Sequence, residues 1–140
     1  MPDLRTYNLF ISHAWFYSKG YEKLVELLNE ARFFSWRNYS VPSHKPVVDP
    51  NTIVGKRVLT AELDQQIRPV HCFLIMAGMY ANHKEWLQKE IEIAQSYHKP
   101  IIGLVPWGQV RTPVYIQQMS NEMVSWNTSS IVSAIRRHSI

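Results

Sequence analysis

Val70-His71-Cys72-Phe73-Leu74-Ile75-Met76 forms an almost unbroken apolar run in the middle of the chain. Such a run is typical of a central β-strand that is covered on both faces. Residues 7–12 alternate in polarity and are rich in aromatic and β-branched side chains, which predicts a first strand. Residues 84–97 follow the apolar run and show the clearest helical periodicity of the chain. The sequence therefore predicts strands that alternate with helices.

The rest of the chain continues this alternation. Further segments with helical spacing or a capping residue are 19–32, 58–67, 114–119 and the stretch that begins at Asn127 or Thr128. Further strand-like segments are 33–39, 100–105 and 123–126. Residues 40–56 contain three prolines and Gly55, which predicts a long irregular loop. An alternation of this kind indicates an α/β fold, with helices on both faces of a parallel sheet.

Length and composition predict the number of domains, the cellular compartment and whether the chain spans a membrane. The 140 residues, 46% of them hydrophobic, are expected to fold as a single domain spanning residues 1–140. We expect a cytoplasmic protein, because Cys72 is the only cysteine and the first residues lack the apolar stretch of a signal peptide. The longest apolar run, residues 72–81, is too short to span a bilayer, so we expect no membrane partner.

The net charge of +4 comes from 15 basic and 11 acidic residues. The basic residues are scattered along the sequence, whereas nucleic-acid-binding proteins usually concentrate them on one face. We therefore expect no nucleic-acid partner. A small ligand that carries phosphate groups is compatible with the positive charge.

The fold class predicts where a site would lie, because ligands of open parallel sheets bind at the carboxyl ends of the strands. That rule selects Ser12 and His13 after the first strand, the loop at 40–56, and residues 77–90 after the third strand.

Several activities of α/β proteins are excluded by missing motifs. The acidic residues of a phospho-acceptor receiver domain are absent, and so are the glycine-rich loops that bind phosphates. The six histidines are not paired with one another or with a cysteine at metal-binding spacing, so we expect no metal site. A nucleophilic pair of Cys72 and His13 is conceivable, but thiols inside strands are usually inert.

The most informative motif is Trp86-Leu87-Gln88-Lys89-Glu90-Ile91. Trp86 and Glu90 are four residues apart and therefore share one face of a helix. A carboxylate beside an indole, near the end of a central strand, would lie in a partly desolvated cleft. From spacing alone, a glutamate that points to solvent is the simpler alternative, and both interpretations stay open. Aromatic residues near the predicted cleft, which could stack on a ring of a ligand or pack in the core, are Trp15, Trp36, Tyr39 and Tyr80.

The ordered motifs resemble one known family. Residues 7–13 resemble the opening strand of Toll/interleukin-1 receptor (TIR) domains, and residues 76–80 with 86–91 resemble the third strand and Trp-x-x-x-Glu helix of that family. In detail the chain is similar to the bacterial TIR-like family that includes the sensor subunit of the Thoeris antiphage system. The segments that carry this resemblance are 10–15, 38–42, 99–103, 106–109 and 126–132.

The resemblance implies a flavodoxin-like, three-layer fold with about five parallel strands, and cleavage of NAD at its nicotinamide–ribose bond. It implies that Glu90 is the catalytic residue. The residues expected to bind the substrate are Ser12, His13, Trp36, Asn38, Tyr80 and Trp86. NAD would be the substrate, and we expect neither a cofactor nor a metal.

The resemblance also implies partners. Residues 40–56 correspond to the BB loop of TIR domains, which borders the substrate site and can govern self-association. The product would be an ADP-ribose derivative, in a cyclic form, that activates a separate effector protein in antiphage defence. Two other hypotheses remain open, namely a non-catalytic TIR module that acts by assembly and an enzyme similar to nucleoside deoxyribosyltransferases.

Overall fold

The computed structural model describes residues 5–12, 19–39, 53–76, 84–105 and 114–140. The elements are, in chain order, β1 Thr6–Ile11, α1 Lys19–Glu30, β2 Ser35–Asn38, α2 Ile53–Ile67, β3 Cys72–Met76, α3 Lys84–Ser96, β4 Ile101–Val105, α4 Val114–Met119, β5 Glu122–Ser125 and α5 Thr128–His138. This order confirms the predicted alternation of strands and helices. Most predicted boundaries differ from the observed ones by one or two residues, and the largest difference is at α2, which begins at Ile53 rather than residue 58.

The strands form one five-stranded, all-parallel sheet in the order β2-β1-β3-β4-β5. This is the flavodoxin-like order, which confirms the expected fold. β3 lies at the centre and all five of its residues are buried, as its apolar sequence predicted. Phe10 and Phe73, which are register partners on β1 and β3, stack with ring centroids 5.2 Å apart. The core therefore extends across the two central strands.

The helices lie on both faces of the sheet. α1 contacts α5, and α2 contacts α3. From β1 to β2 the chain moves one way across the sheet, and from β2 to β3, β4 and β5 it moves the other way. Because crossovers between parallel strands are right-handed, this reversal places α1 on the face opposite to α2 and α3. We call these the α1 face and the α3 face.

Asn127 is the N-cap of α5, because its side-chain Oδ1 accepts a hydrogen bond from the backbone N–H of Ser130 at 2.8 Å. This assigns the helix start that the sequence left between Asn127 and Thr128. Within the described ranges, no helix combines the length and the apolar character that crossing a membrane requires.

Candidate active site

Glu90 lies on α3, the helix that follows the central strand, and its exposed fraction is 0%. Among the described side chains of this helix, the buried apolar ones are Leu87, Ile91 and Ala94, which recur at helical spacing, and Glu90 lies within the same stripe. Glu92, two residues further on, is exposed. The alternative that Glu90 points to solvent is therefore wrong. Its burial follows from its place on the side of the helix that packs against the sheet.

A fully buried glutamate is rare unless it is paired, because desolvation of an ionised carboxylate costs on the order of several kcal/mol. Glu90 interacts with at least one neighbouring group, so it is not an isolated buried side chain. A carboxylate held in such a low-dielectric environment exerts a stronger electrostatic effect on a nearby cation than a carboxylate in water does. This is the property that a reaction with a positively charged transition state requires.

Ser12 directly follows β1 and is also fully buried. Its backbone N–H donates to the carbonyl oxygen of Leu74 at 3.0 Å, which continues the pairing of β1 with β3. Among the side chains that the structure describes, and with cysteine and the aromatic residues counted as hydrophobic, Ser12 and Glu90 are the two buried residues that are polar or charged. Both are residues that the sequence assigned to the site.

Strand geometry places Ser12 on the α3 face. Tyr7 and Trp36 are register partners and so point to the same face of the sheet. The indole Nε1–H of Trp36 donates to Oδ1 of Asn29 on α1 at 2.9 Å, which identifies that face as the α1 face. Because side chains alternate along a strand, Ser12, five residues after Tyr7, points to the other face. Ser12 and Glu90 therefore belong to the same layer of the molecule.

The two predicted substrate ligands on β2 lie elsewhere. Trp36 and Asn38 are two residues apart and so both point to the α1 face. Asn38 is the last residue of β2 and pairs with Leu9, and the N–H of Tyr39 then donates to the Leu9 carbonyl oxygen at 3.0 Å. The structure thus separates Trp36 and Asn38 from the face that carries Ser12 and Glu90. Their role in binding substrate stays a prediction.

The remaining predicted ligands are not described. His13 and Tyr80 lie outside the described residues, and of Trp86 only the helical backbone is described. Most of the predicted BB loop, residues 40–52, also lies outside them, and residues 53–56 are the first turn of α2 rather than irregular.

Cys72 does not have the environment of a nucleophile. Its side chain is buried in β3, and this burial raises the pKa of the thiol from 9.0 to about 12. At neutral pH almost none of it is thiolate, the reactive form. This argues against the Cys72–His13 pair. Among the side chains that the structure places, no group of three or more histidine, cysteine or acidic residues could hold a metal ion.

Sequence comparison assigns the chain to a family. The model of the family described as "Thoeris protein ThsB, TIR-like domain" matches residues 10–111, which is more than two thirds of the chain. No curated protein matches the chain.

Structure comparison supports the same fold. The chain is similar to the solved structure of a CMP N-glycosidase, BcmB, from Clostridium botulinum, with a TM-score of 0.54 and 16% sequence identity. The similarity covers 93% of this chain and 98% of the other, and at this identity it concerns the fold alone. With the match over residues 10–111, the chain belongs to the family of TIR-like domains of the Thoeris protein ThsB.

Proposed function

We propose that this chain cleaves the N-glycosidic bond between nicotinamide and ribose in NAD, with Glu90 as the catalytic carboxylate. The observation that carries the proposal is the complete burial of Glu90 on α3, in the position of the Trp-x-x-x-Glu motif, in a chain of this family. Ser12 supports it, since its buried hydroxyl belongs to the same layer and directly follows the carboxyl end of β1, where ligands of such sheets bind.

The chemistry suits a buried carboxylate. Breaking the bond leaves positive charge on the ribose, in an oxocarbenium-like transition state. The carboxylate of Glu90 stabilises this charge and accepts hydrogen bonds from the ribose hydroxyls. Nicotinamide leaves as a neutral ring, because the bond electrons return to the pyridinium nitrogen, so no strong general acid is needed. Exclusion of water from the buried layer strengthens each of these interactions.

We propose that the ADP-ribosyl group is then captured by a nucleophile of the same molecule, which gives a cyclic ADP-ribose isomer. Attack by water would instead give linear ADP-ribose. In either case the product is diffusible and can activate a separate effector protein. The net charge of +4 favours the approach of an anionic dinucleotide.

The test uses purified protein at high concentration with NAD, and measures nicotinamide and the ADP-ribose products by chromatography and mass spectrometry. Glu90→Gln removes the charge with little change in size, and we expect it to abolish nicotinamide release. Glu92→Gln is the matched control, because it makes the same change two residues away at an exposed position of α3. Equal nicotinamide release by the wild type and Glu90→Gln would overturn the proposal. The mass of the product distinguishes cyclisation from hydrolysis.

A second candidate is cleavage of a pyrimidine nucleotide. It is favoured by the similarity in fold, over nearly the whole chain, to a CMP N-glycosidase. This reaction also breaks an N-glycosidic bond and would use the same carboxylate. An arm of the assay with CMP, followed by cytosine release, separates the two candidates. A protein that releases no base from either substrate, and that retains antiphage function as Glu90→Gln, would instead be the non-catalytic assembly module.

A further inference from the structure

A groove with a volume of about 610 Å³ lies between α2 and α3. We call it the α2–α3 groove, and its described lining residues are Arg57, Thr60, Ala61, Asp64, Gln65, Arg68 and Lys89. Lys89 lies on α3, and the others lie along one side of α2 and directly beyond its end. The volume is within the range of small-molecule sites, which is about 300–1,000 Å³.

The α2–α3 groove runs beside Glu90. Tyr97 continues the last turn of α3, because its backbone N–H donates to the carbonyl oxygen of Ile93 at 3.3 Å. Glu90 and Tyr97 are seven residues apart and therefore share one side of the helix. The hydroxyl of Tyr97 donates to Oδ1 of Asp64 on α2 at 2.8 Å, so this side of α3 is turned towards α2. Lys89 directly precedes Glu90 and lines the groove.

Positive charge is concentrated at one end of the groove. At the other end, Oδ1 of Asp64 accepts hydrogen bonds from the hydroxyl of Tyr97 at 2.8 Å and from Arg68 at 2.7 Å. These bonds lower the pKa of Asp64, so it stays ionised and neutralises Arg68. Among the side chains that the structure describes, neither Arg57 nor Lys89 forms an ion pair. Arg57 and Lys89 are therefore the uncompensated charges of the described groove lining.

These two charges lie near the carboxyl edge of the sheet. Because the strands are all parallel, each crossover helix runs from the carboxyl edge back to the amino edge. Arg57 is four residues after the start of α2 and Lys89 is five residues after the start of α3, which is about 6 and 8 Å along the two helix axes. Both charges thus lie at the depth of Glu90, at the edge where ligands of such sheets bind.

We propose that Arg57 and Lys89 bind the phosphate groups of the nucleotide whose N-glycosidic bond Glu90 cleaves. The inference rests on the proposed function, and it names the part of the site that selects phosphorylated substrates. The guanidinium of Arg57 suits paired hydrogen bonds to phosphate oxygens, and the ammonium of Lys89 adds a point charge.

The order of charges in the site matches the order of groups in the substrate. In NAD and in CMP, the nearest phosphate is one ribose away from the bond that breaks, so the inference covers both candidate substrates. A carboxylate at the bond and a phosphate close to it repel each other, and two cations beside the carboxylate offset this repulsion. Removal of the cations should therefore weaken binding of the nucleotide more than it slows bond cleavage.

Binding of ADP-ribose, measured by isothermal titration calorimetry, tests the assignment without turnover. ADP-ribose carries the pyrophosphate of NAD, and adenosine is the matched ligand without phosphate groups. We expect the wild type to bind ADP-ribose about tenfold or more tightly than adenosine, and Arg57→Ala with Lys89→Ala to lose this preference. A wild type that binds adenosine as tightly as ADP-ribose would overturn the proposal.

Two further variants control for net charge and for folding. Lys23→Ala with Arg32→Ala removes the same two kinds of charge from exposed positions on and directly after α1, and it should bind ADP-ribose as the wild type does. Arg57→Lys with Lys89→Arg keeps both charges in the groove and should retain the preference for ADP-ribose. Thermal unfolding checks that each variant is folded. Equal losses of affinity in the α1 variant and in the groove variant would assign the effect to net charge and overturn the proposal.

Turnover provides a second readout. With NAD, we expect Arg57→Ala with Lys89→Ala to raise KM about tenfold or more and to lower kcat much less. With nicotinamide riboside, which has no phosphate group, the variant and the wild type should release nicotinamide at the same rate. An equal fall in rate for both substrates, with KM for NAD unchanged, would overturn the proposal, because such a change concerns the reacting bond.

Failure of this inference is distinguishable from failure of the proposed function. A protein that shows the expected preference for ADP-ribose, but whose base release does not depend on Glu90, would overturn catalysis by Glu90 and support phosphate binding in the groove. Base release that is lost in Glu90→Gln, together with unchanged binding of ADP-ribose by the groove variant, would overturn the phosphate site alone.

Discussion

Glu90 and Glu92 lie two residues apart on α3, and the first is fully buried whereas the second is exposed. The same side chain therefore occurs in two environments on one helix, about 3 Å apart along its axis. A comparison of variants at the two positions can therefore distinguish the effect of a buried carboxylate from the effect of a charge anywhere on α3. It also allows each variant at the buried position to be matched by the same variant at the exposed one.

Glu90→Asp tests how closely the carboxylate must be positioned. The variant keeps the charge but withdraws it by one methylene group, and a displacement of about 1 Å in an active site can cost about 100-fold in rate. We expect Glu90→Asp to release nicotinamide about 100-fold more slowly than the wild type, and Glu92→Asp to match the wild type. Steady-state rates at saturating NAD measure this difference, with circular dichroism as the check on folding. A Glu90→Asp variant as active as the wild type would mean that the carboxylate does not act on the reacting atoms.

Most of the fold was predictable from the sequence because the apolar patterns are strong. The run at residues 70–76 predicted the central strand, and all five residues of β3 are buried. The start of α2 was not predictable, because Gly55 disfavours a helix by about 1 kcal/mol relative to alanine, an amount that the rest of a 15-residue helix can offset. A prediction from local sequence therefore misses a helix start at which the rest of the helix offsets one unfavourable residue.

The site was predictable only in part. The spacing of Trp86 and Glu90 identified the helix, but the presence of glutamates at positions 85, 90 and 92 does not determine which of them faces the core. Trp36 and Asn38 were assigned to the site from the sequence, and the structure places them on the α1 face because the register with β1 sets their orientation. Register depends on the pairing of strands that are separate in the sequence, so no single segment determines it.

Gly103 on β4 leaves no room for a larger side chain unless the side chain of Met123 moves. A methyl group at this position would collide with Sδ of Met123 on the adjacent strand, and it would lie 2.9 Å from Oγ of Ser120. We expect Gly103→Ala to lower the free energy of unfolding by about 1–3 kcal/mol, as overpacking usually does. Chemical denaturation measures the change.

A double-mutant cycle identifies the cause of that loss. Met123→Ala removes the colliding side chain, so Gly103→Ala should cost clearly less in the Met123→Ala background than in the wild type. Equal costs in the two backgrounds would place the strain elsewhere, in the backbone or at Ser120.

Cys72 should be unreactive in the folded protein. A pKa of about 12 instead of 9.0 leaves about a thousandfold fewer thiolates near neutral pH. We expect iodoacetamide to label the native protein at the rate of its unfolding and to label it quickly in denaturant. The matched variant is Cys72→Ala with Ser133→Cys, since position 133 on α5 is exposed and should be labelled at once. Rapid labelling of native wild type would contradict the buried position of the thiol.

His71 should make stability depend on pH. The backbone N–H of Asn8 donates to its Nδ1 at 2.9 Å, so this nitrogen must be unprotonated for the bond to form. Burial, and then the charges of Arg5, Lys99 and Arg37, lower the pKa of His71 below its ordinary value of 6.5. The unfolded chain therefore binds a proton at higher pH than the folded protein does.

The sign of the effect follows from this difference. The contribution of His71 to stability is fully present above about pH 6.5, the pKa of the unfolded chain, and it is lost as the pH falls through the lower pKa of the folded state. His71→Asn keeps an acceptor near the position of Nδ1 but does not titrate. Denaturation at a series of pH values should show stability that falls more steeply towards acid in the wild type than in His71→Asn. The exposed His98→Asn serves as the control, and because the φ of His98 is 56°, which asparagine adopts readily, its curve should keep the wild-type shape at equal or higher stability. Parallel curves for all three proteins would show that protonation of His71 is not coupled to folding.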